Sequence, residues 1–537
     1  MSPQQSSTSF RDFVRRKTFR LNGAYLLTTL GDRMWMFAIG IFMHKLGGMT
    51  WVAVQQFFDA LVKLAALPII GSIMDKRDRN KIMQISLVVN NIAVGASAAA
   101  FFLCFYLPSP DGTLTGNRMA LFIVGILFAS ISRVASEAQR ICFTKDWTVV
   151  ITSAYPEEGV TLSNQNSLMS VIDQSSSVIL PVFTGALIEI SGYQTSCIFI
   201  IAYNVVSWYI ESNILRNLYN LTPALKKRCV EKDEDGEENQ SRSFSWINSF
   251  RLYFQQSSWM AGFGLALLYM TVLGFDNLAG SYGQKHGMHL VTLGFLRTTG
   301  SLLGVLGAIT FGRLEPRIGL LWTAFIGLTW QNIFINFCSF STILPGSPMN
   351  IMGYISNFDL NIWIKEVNEH ISKPTNDDHF PLPFLQLPPS ILVFFFGITL
   401  ARFGLWMADP AITQIQQETI PESQRYSVFA MQTAFCEAFS LLKDTIIILF
   451  PNTELFGALA IASCIFVFAG YMFNNAYFLK CGCSSAKDAH LRKPVKTSGN
   501  PEIELAETGK LLDEVKKSEE EQENEENEQK MEKNGDC

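Results

Sequence analysis

About twelve stretches of roughly 20 predominantly apolar residues recur along the chain, and each is long enough to cross a bilayer as a helix. They run approximately over residues 22–44, 50–74, 82–107, 118–141, 165–190, 193–216, 258–283, 288–311, 319–344, 390–410, 425–450 and 455–479. In hydrocarbon a helix satisfies all its backbone polar groups internally, so apolar runs of this length read as helices. The expected fold class is all-α and integral to the membrane. Composition agrees: 48% of the 537 residues are apolar and 17% are charged, against about 25% charged in soluble proteins.

Lys and Arg in the short loops set the orientation. They crowd the N-terminal segment (Arg11, Arg15, Arg16, Lys17, Arg20), the loop after the second run (Lys76, Arg77, Arg79, Lys81) and the segment after the sixth. The alternate loops hold one or two each. Both ends are therefore expected to face the cytoplasm. The organisation expected is a cytoplasmic segment 1–20, a six-helix half 21–216, a polar linker 217–256, a second six-helix half 257–479 with one large external loop 345–389, and a disordered acidic tail 480–537. Residues 1–20 have no apolar core and do not read as a signal peptide. The tail from 501 holds 14 Asp/Glu against 5 Lys/Arg, so the rest of the chain carries +4 while the whole carries −5. A mildly basic membrane body with an acidic tail argues against nucleic acid as a partner. None of the ten cysteines falls in an expected external loop, so free thiols are expected. Cys481 and Cys483 read as lying just past the last span, where a thiol is either inert or open to palmitoylation.

After the second run comes Gly71-Ser-Ile-Met-Asp75-Lys76-Arg77-Asp78-Arg79. Glycine permits close helix contact, and an acid at a helix end beside basic loop residues can form a charge latch. This resembles the loop signature of the major facilitator superfamily. Gly312-Arg-Leu-Glu315-Pro-Arg317 is a faint echo of it 241 residues later. The resemblance implies two six-helix bundles rocking around a site near the membrane midplane.

Ionisable residues inside spans are costly unless paired or facing a cavity. Asp59 with Lys63, and Arg133 with Glu137, stand four apart on one helix face and are expected to pair. Asp173, Arg297, Arg402, Asp409, Glu437, Lys443 and Asp444 also fall within spans. Asp32, Glu211 and Asp276 have no opposite charge at that spacing and are the candidates for an ion route. Gly274-Phe-Asp276-Asn277-Leu-Ala-Gly280-Ser-Tyr-Gly283 should weaken its helix and free backbone carbonyls. His286 and His289 read as loop residues rather than a zinc pair, and no phosphate or dinucleotide loop points to an enzyme.

Gly31-Asp32-Arg33-Met34-Trp35, Ser86–Asn91, Asp146-Trp147, Ile172-Asp173-Gln174, Leu265–Asp276 and Ala401-Arg402-Phe-Gly-Leu-Trp406 resemble the ferroportins, the iron exporters of solute carrier family 40. The likeness runs from about residue 20 to 480, apart from the linker and the external loop. It implies a major-facilitator-type bundle, efflux of ferrous iron across the plasma membrane in exchange for protons, no prosthetic group, and a Ca2+ site in the N-terminal half. A monomer is expected.

In the family one metal site uses Asp32 and a His four residues later, where this chain has Met36. The other uses a Cys and a His, where Asn277 and Lys443 stand, beside Asp276. A thioether is a soft ligand and a protonated Lys repels cations. The calcium-type positions Asp32, Asn90, Asn204 and Glu211 all keep hard oxygen donors. Asp75, Arg79, Asp146, Asn166, Asp173, Gln174, Arg402 and Asp409 match gating or latch positions, with Ser170 in place of a latch Arg. With no thiol at Asn277, a response to the peptide hepcidin is not expected. The altered ligands leave open a transporter of the same fold with a changed substrate. A non-transporting receptor or scaffold, with the tail as binding element, is a third reading.

Overall fold

The computed structural model describes residues 16–107, 116–227, 246–274, 282–283, 286–347, 349, 351–356, 359–361, 363–365, 387–450 and 453–483. Asp276 and Asn277, much of the expected external loop and the acidic tail lie outside them. No β-strand occurs among the described residues. The helices follow the apolar runs: α1 (Lys17–Gly48), α2 (Trp51–Asp75), α3 (Arg79–Tyr106), α4 (Asn117–Ile141), α5 (Thr148–Ala154), α6 (Leu162–Leu221), α7 (Trp246–Gln255), α8 (Trp259–Leu267), α9 (Leu290–Ile318), α10 (Leu320–Ser341), α11 (Pro389–Thr419), α12 (Arg425–Leu449) and α13 (Thr453–Cys483). Among the described residues, eight helical runs are long and apolar enough to cross a membrane.

Two glycines make the folding-back possible. Gly48 (φ 78°) separates α1 from α2, and Gly192 (φ 79°) breaks α6 into two arms. Both sit in the region that side chains disfavour. These breaks reproduce the boundaries between the first and second and between the fifth and sixth apolar runs.

Three details differ from expectation. The fourth run continues beyond Ile141 through a π-helical turn, Cys142–Trp147, into α5, which places Asp146 inside a helix rather than in a loop. In the seventh run the helix α8 stops at Leu267, ahead of the glycine-rich stretch, and freed donors find side chains: Val272 N–H donates to Ser463 Oγ at 3.0 Å and Leu273 N–H to Thr271 Oγ1 at 3.0 Å. Cys481 lies within α13 and is 1% exposed, so it does not sit past the span and is no surface thiol.

Buried apolar side chains form three clusters. One is built from α8–α11 and α13, including Phe311, Phe394, Ile412 and Val467. Another joins the far ends of α1–α4 with α6, around Phe42, Phe101 and Phe122. The third mixes both parts of the chain: Leu21, Tyr25, Leu67 and Trp147 pack with Tyr253, Tyr426 and Phe429. The parts before and after the linker therefore meet through a dry seam at one end of the bundle. That end also carries the last turn of α2 and the first of α3.

Candidate transport cavity and latch

A cavity of about 320 Å³ lies between the two parts of the chain. From α1 it is lined by Asp32 and Met36, one turn apart; from α6 by Asn166 and Asp173; from α11 by Trp406 and Asp409; and from α12 by Cys436 and Glu437. Five acids (Asp32, Glu137, Asp173, Asp409, Glu437) and five bases (Arg33, Lys63, Arg133, Arg140, Lys145) face it. Its wall is thus charged yet balanced.

Asp32 is held in place by neutral donors. Asn90 Nδ2 donates to Oδ1 at 3.2 Å and Ser136 Oγ to Oδ2. Behind it, Glu211 (2% exposed) accepts from Thr28 Oγ1 at 2.9 Å, and Gln139 Nε2 donates to the same hydroxyl at 3.1 Å. Asn204, two turns before Glu211 on α6, anchors its amide on the Ile200 carbonyl at 2.8 Å. Asn90 Oδ1 and Gln139 Oε1 are buried with no hydrogen-bond partner among the described residues. Oxygens from α1, α3, α4 and α6 thus lie close together at positions where the family resemblance implies a calcium-type set. No group of three or more His, Cys, Asp or Glu side chains suited to a metal occurs among the described residues.

Beside the cavity a polar cluster, at the positions expected to form a latch, joins the two parts of the chain. Asp146, 1% exposed, receives Arg79 Nε at 2.8 Å from α3, and Arg425 Nη1 at 3.1 Å and Tyr426 Oη at 2.6 Å from α12. Arg79 also pairs with Glu422 and donates to the Lys227 carbonyl at 2.8 Å. Asp75 accepts the backbone N–H groups of Tyr426 and Ser427 at the start of α12. Asn166 Nδ2 donates to Gln417 Oε1 at 2.7 Å, and Ser167 Oγ to the Ala308 carbonyl at 2.7 Å. A buried carboxylate with two guanidinium partners and a phenol donor is well compensated; removing any partner would leave charge stranded.

Close backbone approach supports the latch. A Cβ on Gly71 would come within 2.6 Å of Ala430 Cβ and 2.8 Å of the Tyr426 carbonyl. The echo motif repeats this arrangement on the other side. A Cβ on Gly312 would come within 2.9 Å of Ser167 Cβ, and Glu315 takes a hydrogen bond from Ser163 at the start of α6.

Residues 15–467 match the sequence profile of the family described as Ferroportin1 (FPN1). The chain belongs to the ferroportin family. It is 29% identical to Solute carrier family 40 member 1 of Danio rerio, covering 90% of this chain and 96% of that protein. It is 28% identical to Ferroportin of Homo sapiens, covering 86% and 91%. Among solved structures it resembles a bacterial homologue of iron transporter ferroportin in the outward-facing state, with TM-score 0.68, 19% identity and coverage of 86% and 100%. The same homologue in the inward-facing state gives TM-score 0.53, at 19% identity and coverage of 86% and 98%. The fold is the major-facilitator-type helical bundle that the sequence implies.

Against the ferroportin expectations, the described residues sort clearly. Asp75, Arg79, Asp146 and Asn166 meet at the interface between the two parts. Asp173 does not cross it: it accepts from Tyr25 Oη at 2.8 Å and stands 3.7 Å from Arg33. Gln174 packs toward Gly304 of α9, close to Trp406. Arg402 lies on α11, two turns before Asp409. Lys443 is not among the described residues lining this cavity and stands 3.4 Å from Asp444; its expected neighbours Asp276 and Asn277 lie outside the described residues. Both expected i, i+4 pairs are overturned. Lys63 pairs with Glu437 across the interface, while Asp59 accepts from Gln55 and Ser130. Glu137 pairs with Arg140 at 3.0 Å, not with Arg133. Nor is Asp32 without partners, because Asn90 and Ser136 come from other helices. His289 caps α9, its Nδ1 accepting from Val291 N–H at 3.2 Å.

Sequence reasoning missed Glu422, Arg425 and Tyr426 as latch members. Their signal was present: an acid just before the eleventh run, and a base and an aromatic at its start. It looked like an ordinary solvated loop. The Lys63–Glu437 pair carried no signal, since 374 residues separate its partners.

Proposed function

We propose that this protein exports ferrous iron, or a related divalent metal, from the cell by alternating access, with proton exchange balancing the charge. The observation that carries the reading is a cavity holding the Asp32 carboxylate between two helical bundles, with a polar latch beside it that can open only if the bundles rock apart. Ferroportin-family membership supports the substrate class. Both termini and the latch end face the cytoplasm in this reading, so the cavity stands ready to release its ion outward. Asp32 is the principal ligand and Met36 a soft neighbour. Asp276 and Asn277 are the second site in this reading. Asp409 and Arg402 line or flank the outward route.

The residues behind Asp32 fit Ca2+. Asn90 with its uncommitted Oδ1, Glu211 and Asn204 would hold it together with Asp32, and the ion would fix the first and sixth spans relative to each other. Whatever occupies the site, Thr28 and Gln139 orient Glu211, and Asn90 orients Asp32.

A second reading is favoured by one observation: five acids and five bases together line the cavity, so its charged side chains balance. It holds that the substrate has changed within the same fold. Efflux from cells loaded with iron, cobalt, zinc or copper, with and without the protein, decides between them. Export of one of these metals well above control cells supports the first reading; no export of any supports the second.

A further inference from the structure

Two serines of α4 each donate to a carboxylate of the first two helices: Ser130 to Asp59 and Ser136 to Asp32. Arg133 stands midway between them, three residues from each, and residues three apart share a helix face. It lines the same cavity as Asp32. Its positive charge acts on Asp32, Asp59 and Glu137. Yet among the described residues it makes no contact ion pair and no hydrogen bond. The acids near it are otherwise engaged: Glu137 with Arg140 at 3.0 Å, Asp59 with Gln55 and Ser130. A guanidinium is never deprotonated in a protein, so this charge is permanent.

A cation fixed in the field of a binding carboxylate, but not bonded to it, does two things. It lowers the cost of leaving the carboxylate ionised and empty, and it repels an arriving divalent ion. We propose that Arg133 is a built-in competitor of the transported cation, setting the affinity of Asp32 for divalent metal low enough for ready release. The inference rests on the reading of Asp32 as a metal ligand. It assigns affinity control to a residue that touches neither the metal nor the latch.

The test is cobalt(II) titration calorimetry on the purified full-length protein. Arg133→Gln, which removes the charge and keeps much of the length, should tighten cobalt by about tenfold or more, since a repelled divalent ion gains at least that from losing a near unit charge. Arg133→Met serves as a second neutral variant should the first not fold. Arg133→Lys, which keeps the charge, should bind within about twofold of wild type; a purely structural role would not sort the variants by charge. The gain should vanish when Asp32→Asn is added. If Asp32→Asn abolishes cobalt binding but neither neutral variant binds tighter than wild type, the competitor role is wrong while Asp32 keeps its place. If no chain shows cobalt binding that depends on Asp32, the ligand assignment and the inference built on it both fall.

Discussion

Asp75 caps a helix to which it does not belong. Its two carboxylate oxygens accept the N–H of Tyr426 at 3.0 Å and of Ser427 at 2.8 Å, the first donors of α12. Unpaired N–H groups and the positive end of the helix dipole both favour an anion there. Such a cap is worth about 0.5–2 kcal/mol. Asp75→Ala, which removes both acceptors, should therefore populate the latch-open form several-fold more. Thiol labelling of Thr413→Cys, a cavity position, from the latch side of the membrane would read this as faster modification. An unchanged rate would mean the cap does not govern opening.

Asp32→Ala should reduce metal efflux at least tenfold with normal surface abundance. The side chain contributes a ligand while its hydrogen bonds to Asn90 and Ser136 are local, and loss of a buried hydrogen bond at about 1 kcal/mol should not unfold the protein. Surface biotinylation beside radiometal efflux separates the two effects. Full export by the variant removes Asp32 from the route.

Lys63 and Glu437 should show strong coupling. Breaking a largely buried pair strands one charge. Lys63→Met and Glu437→Gln should each lower thermal stability, and the double variant should lose less than the sum, with a coupling of about 1–3 kcal/mol. Additive losses in a melting-temperature cycle would show that the pair contributes nothing to holding the cavity walls together.

Gly71→Val should block latch closure outright, because even its Cβ would overlap Ala430 and the Tyr426 carbonyl. Gly23→Ala is the control, as a Cβ there meets nothing within 4 Å. The expected result is a chain trapped with the latch side open, labelled rapidly at Thr413→Cys and inactive in efflux.

Lys443→Ala should leave cobalt binding within about twofold of wild type, because the ammonium is held beside Asp444 and is not among the described residues lining the cavity; a change of a factor of ten would need about 1.4 kcal/mol of direct interaction. Calorimetry checks this directly, and a tenfold change would place Lys443 at the metal after all.

What was readable beforehand divides along physical lines. Span positions were legible because bilayer thickness imposes a length that no tertiary contact overrides. Gly71 and Asp75 were legible because their roles are local: one permits approach, the other sits at a helix end. Partners were not. Spacing of four suggested Lys63 with Asp59, but a helix face turned toward an interface finds its counter-charge on the opposing wall, here Glu437. The same holds for Asp146: its position was recognised, whereas Arg425 and Tyr426 were invisible until two distant segments were brought side by side. Where α8 ends was also hidden, since Leu268–Leu273 are as apolar as the helix before them.

The pairing of Gly71 with Asp75, and of Gly312 with Glu315, has a consequence for how these segments tolerate change. In each case the glycine presses against a helix of the opposite bundle and the acid, about one turn later, reaches that same helix at or near its first turn. One inserted residue between them would swing the acid about 100° around its axis, leaving a correct side chain aimed at lipid or at its own bundle. Spacing is therefore as strict a requirement as identity. A deletion or insertion of a single residue there should do more damage than most substitutions, in both copies of the motif.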